Sequence, residues 1–160
     1  MEFIDLSYFT KGMRKVDNAS AVSRLQAVSQ AANNVIESYI EVNQNKFLRK
    51  VFGDDCLGYI TYLSQEDKDV HREEVLDQLR DAYADYVMFD FLRNQQTSSS
   101  TVGEKKLKSV NDAASSVQRQ CRLWNDMVDL LLMFKAWAAS NNVTALISDD
   151  LLTKINRYGI

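Results

Sequence analysis

Proline is missing from all 160 residues, and glycine occurs only at Gly12, Gly53, Gly58, Gly103 and Gly159. Tight hairpins draw on these two residue types for fixed or positive φ. A chain so poor in them cannot turn often enough to build an all-β fold, and reads as a set of long helices joined by few turns.

The length is that of one domain, sufficient for a core without disulfide or metal staples. Cys56 and Cys121 are far apart and outside any Cys-x-x-Cys spacing, so both read as reduced thiols. No basic segment followed by a long apolar run succeeds Met1, which predicts a soluble product made in the cytoplasm. The most apolar stretch, Met127 to Ala139, is about 13 residues where a span needs roughly 20. With a net charge of −3, general attraction to nucleic acid is not expected.

Three regions are expected: an N-terminal arm over 1–20, a helical bundle over 21–141 and a C-terminal arm over 142–160. In the first, the Phe3–Phe9 segment puts Ile4, Leu6 and Tyr8 on one side and Asp5 and Ser7 on the other, the period-two pattern of an extended segment. Ser20 is positioned to cap a helix bearing Leu25, Val28, Ala32, Val35, Ile36, Tyr39 and Ile40. Asn43-Gln44-Asn45 should weaken that helix, because short amides compete for backbone hydrogen bonds. A further apolar turn then ends at Gly53, a C′ glycine.

Asp54 or Asp55 is placed to cap a short helix with Leu57, Ile60, Tyr62 and Leu63. Ser64 to Asp67 resembles a capping box for a helix from about Lys68 to Asn94. That helix carries Val75, Leu76, Leu79, Tyr83, Tyr86 and Val87 on one face and Asp77, Asp81 and Asp85 on the other. A polar tract over Gln95–Thr101 reads as an exposed loop, and Thr101-Val-Gly-Glu104 as a second capping box opening the longest helix, to about Ala139. Its roughly 38 residues would extend about 57 Å, against a globule about 40 Å across. Either it kinks around Ala113–Ser116 or it overhangs and needs neighbours. Asn141-Asn142 ends it, and Ser148 caps a last helix with Leu151, Leu152, Ile155 and Tyr158. The expected fold is therefore an all-α, elongated bundle of four to six helices, with two long antiparallel helices and extended terminal arms.

No catalytic set emerges, so the chain is expected not to be an enzyme and to hold no cofactor or metal. His71 is the single histidine, without a partner at ligand spacing, and reads as a solvated residue near a helix start. Cys121 lies on the apolar stripe, and no glycine-rich phosphate loop is present. Carboxylate pairs such as Asp126 with Asp129, or Glu73 with Glu74, have no orienting histidine, and rank last as chemistry. Lys105, Lys106 and Lys108, with Arg119 and Arg122, form a strip suited to phosphates, to ion pairs between subunits or simply to solvent. The Asp77, Asp81, Asp85 row requires solvent or opposing cations.

Two stretches carry a resemblance. One runs from Val35-Ile-Glu-Ser-Tyr-Ile40 through Phe47-Leu-Arg-Lys-Val-Phe-Gly53 to Leu57-Gly-Tyr-Ile-Thr-Tyr-Leu63. The other is Ala82-Tyr-Ala-Asp-Tyr-Val-Met-Phe-Asp-Phe-Leu92, followed by Thr101-Val-Gly103. Their order resembles the head-to-tail connector, or adaptor, proteins of tailed bacteriophages and prophages, particularly those of Bacteroidetes hosts. The resemblance implies a non-enzymatic virion protein that forms a homo-oligomeric ring, usually twelvefold, beneath the portal. Such a ring contacts portal and tail or neck proteins and passes DNA without reading its sequence. It implies docking through the termini (Phe3, Ile4, Leu6, Tyr8, Phe9; Leu151, Leu152, Ile155, Tyr158). Asp77, Asp81, Asp85, Lys105, Lys106 and Lys108 become candidate channel or intersubunit charges. The rival reading is a small helical regulator or inhibitor of a single host or phage protein.

Overall fold

The computed structural model describes residues 3–16, 26–65, 69–95, 99–100, 103–104 and 110–156. It is an elongated all-α bundle. The helices are α1 (Gln26–Phe52), α2 (Cys56–Leu63), α3 (Val70–Gln95), α4 (Val110–Ser140) and α5 (Asp149–Leu152). Ring contacts give their directions: Tyr39 meets Phe91 while Phe47 meets Tyr83, so α1 and α3 are antiparallel. Phe89 meets Trp124 and Arg93 lies by Val117, so α3 and α4 are antiparallel as well. Phe47, Phe52, Leu79, Tyr83, Met127, Leu131 and Phe134 fill the space between them.

Helix α1 does not break at Asn43-Gln44-Asn45; it runs unbroken to Phe52. Asn43 is buried and donates from Nδ2 to the Asp90 carboxylate at 3.0 Å. Gln44 Oε1 accepts from the Phe3 amide at 3.2 Å. Tertiary partners occupy the amides that would otherwise compete for the helix backbone. Gly53, at φ +58°, ends the helix as expected, since a left-handed residue there costs least when it has no Cβ.

The expected caps fare unevenly. Asp55 precedes α2, but its side chain makes no capping bond, and neither does that of Ser148 before α5. Ser64 ends α2, and Asp69 starts α3 by accepting the His71 amide on Oδ1 at 3.0 Å. Glu104 pairs with Ser99, and Gly103 with Ser100, in a two-residue antiparallel ribbon, β1 (Ser99–Ser100) with β2 (Gly103–Glu104). Glu104, expected in the first turn of α4, therefore lies in a strand, and α4 starts at Val110. That helix has 31 residues with no break at Ala113–Ser116, about 46 Å at 1.5 Å per residue. It ends at Asn142, φ 56°, where the Val143 amide reaches back to the Ala138 carbonyl at 2.9 Å. Helix α5 is only four residues, so Ile155 follows it in non-helical chain. Ser20, Leu25, Asp67, Lys68, Thr101 and Val102 lie outside the described residues.

Candidate functional site

The N-terminal segment is not an extended arm. Asp5 caps a 3-10 turn over Leu6–Phe9 by accepting the Ser7 amide at 2.8 Å, and a second turn covers Gly12–Arg14. The Ser7 hydroxyl also donates to Asp5, and together with the amide it holds the Asp5 carboxyl below its ordinary pKa. The resulting strap lies across the bundle. Phe3, Ile4 and Phe9 are buried in the core, and Leu6 and Tyr8 half-buried against it. Phe3 stacks on Tyr83 with ring centroids 4.9 Å apart. The Tyr83 hydroxyl in turn donates to the Ile40 carbonyl, and burial pushes its pKa up.

Cations fasten the strap. Arg80 Nε donates to the Phe3 carbonyl at 3.2 Å. From α4, Arg119 donates to the carbonyls of Met13 and Lys15 at 2.7 and 2.5 Å. Arg14 forks between Asp81 and Asp85, 2.6 Å to each. Asp85 is only 4 % exposed. Burial raises its pKa, Arg14 opposes that rise, and Asp126 and Asp81 add to it. The acidic row is thus split by environment. Asp77 is exposed beside Arg80, Asp81 is exposed beside Arg14, and Asp85 is a buried partner of the strap.

Beside the strap an open cleft of about 640 Å³ runs down to α4. Met13 and Lys11 form one wall, Asp126, Asp129 and Met133 the other, with Asp85 and Arg14 at the base. Asp129 pairs with Lys154 at 2.7 Å. Met133 is 70 % exposed and its neighbour Leu132 46 %.

The C-terminal candidates are held differently. Leu151 is fully buried, while Leu152 and Ile155 are half-buried. Asn125 brackets Ile155, donating to its carbonyl and accepting its amide, each at 2.9 Å, and Trp124 Nε1 donates to the Thr153 carbonyl at 2.8 Å. Tyr158, Lys105, Lys106 and Lys108 lie outside the described residues. Arg119 serves the strap rather than an open basic strip, and Glu73 accepts from Arg80 and from the Tyr62 hydroxyl. His71 is exposed. Among the described residues no group of three His, Cys, Asp or Glu side chains could hold a metal ion, and no helix is long and apolar enough to cross a membrane.

Sequence reasoning overlooked Arg14, Arg80 and Asn125 and put Arg119 on a basic strip; these four do most of the fastening. Each sits in an unremarkable polar stretch, and only the tertiary fold brings it to its acceptor. The class these features define is an elongated all-α bundle with both described terminal segments folded onto it. No protein-family model, curated protein or solved structure matches the chain.

Proposed function

We propose that the chain is a structural head-to-tail connector of a tailed phage. Copies would assemble into a ring beneath the portal and continue the DNA channel toward the tail. The observation that carries the reading is the outer face of α4. Its 31 residues place Leu132 and Met133 in solvent beside an open cleft, a surface suited to burial against another chain. The order of elements supports the same reading. A first helix ends at Gly53 before short α2, aromatic-rich α3 follows, and a polar ribbon leads to a long helix. This is the order on which the resemblance to connectors rests.

Mixing the purified chain with portal rings from the same source, followed by sedimentation, tests the reading. Co-sedimentation of many copies per ring is the expected result, even where the free chain is monomeric. A chain that stays in the supernatant, or that forms a one-to-one complex with a non-virion protein, overturns it. The latter outcome identifies a helical regulator instead.

A further inference from the structure

At the other end of the α3–α4 pair from Met133 lies a second cavity, of about 340 Å³. Phe89 and Arg93, one turn apart, supply its α3 wall. Val117, Gln120, Cys121 and Trp124, at three-and-four spacing, supply the α4 wall. Ile155 and Asn156 close the third side. In the folded chain that side is held by three hydrogen bonds that join Asn125 and Trp124 to Thr153 and Ile155.

The lining is that of a small-molecule site: mostly apolar and aromatic, with few polar groups, at the lower end of the usual size range. Phe89 and Trp124 lie 4.7 Å apart, their planes tilted by 54°, and present ring surface to a flat guest. Gln120 is buried in the wall. Arg93 is exposed at the mouth and has no ion-pair partner among the described residues. A guanidinium offers paired donors that match a carboxylate.

We propose that this cavity binds a small amphipathic acid, with an aromatic body lying against Phe89 and Trp124 and a carboxylate held by Arg93. The site involves neither the strap nor Leu132 and Met133. It also contains its own reporter. Cys121 is half-buried in the cavity wall, whereas Cys56 is buried in the core. A thiol reagent applied to the folded chain therefore reads Cys121.

The experiment measures Cys121 alkylation in the full-length chain during titration with naphthalene-1-carboxylate, and with the neutral naphthalene-1-methanol for comparison. The acid should slow alkylation saturably. Arg93→Gln should weaken the acid about tenfold, the loss expected for a hydrogen bond to a charged group, and leave the alcohol unchanged. Val117→Phe, which fills the cavity, should abolish protection by both. Alkylation indifferent to the acid would overturn the proposal. So would an Arg93→Gln chain, of unaltered helical circular dichroism, that binds acid and alcohol in the wild-type ratio.

Discussion

The two terminal segments look alike in sequence, each a short apolar run beyond the main helices, yet the bundle holds them by opposite means. The N-terminal strap gives up large side chains: Phe3, Ile4 and Phe9 join the core, and Arg14 compensates the buried Asp85. The C-terminal segment buries Leu151, and beyond it is tied mainly through backbone hydrogen bonds to Asn125 and Trp124. Side-chain burial stabilises by about 1.5–3 kcal/mol per large apolar residue, whereas a net hydrogen bond contributes about 1 kcal/mol. The strap should therefore open only with much of the bundle, and the tail beyond Leu151 should open on its own. Terminal apolar residues are thus not free docking elements by virtue of position; what they touch decides.

Phe9→Ala should break the comparison most directly, since Phe9 is fully buried. Its expected cost is about 3–5 kcal/mol in urea unfolding; a cost typical of a surface site would mean that the strap is peripheral. Arg14→Ala comes next, at about 3 kcal/mol, because it leaves Asp85 buried without its cation. Combining Arg14→Met with Asp85→Leu should recover most of that loss, which separates the cost of an orphaned charge from the worth of the pair. Asn125→Ala should cost about 1–2 kcal/mol. Amide exchange should rise over Thr153–Asn156 without rising in α3, and a rise throughout would show the tail to be coupled to the core. Lys154→Ala removes an exposed ion pair with Asp129 and should cost less than about 0.5 kcal/mol.

The helices were legible because their signals are local: three-and-four apolar spacing through α3 and α4, a glycine where φ turns positive at Gly53, and Asn142 at the end of α4. What the sequence obscured depended on distant partners. Asn43 and Gln44 look like helix breakers until Asp90 and Phe3 take up their amides. Thr101-x-x-Glu104 satisfies the local rule for a capping box, but Glu104 pairs with Ser99 instead. The alternation in Phe3–Phe9 imitates a strand, whereas an Asp5-capped 3-10 turn brings Phe3, Ile4 and Phe9 together onto the core. Asp85 shares its i, i+4 spacing with Asp77 and Asp81, and nothing nearby in the chain marks it as the buried one. The candidate sites were less legible than the fold for this reason. A face is written in one helix, but a cleft is written in three segments.

Native mass spectrometry of the chain bound to portal rings, wild type beside Met133→Asp, tests the connector reading most directly. Met133 is largely exposed, so its replacement should leave the melting temperature of the free chain nearly unchanged. The account predicts a full ring of wild-type copies on each portal and few or none of the variant. Equal loading of the two chains would contradict the assignment of the α4 face to assembly, and no loading of either would contradict the connector function itself.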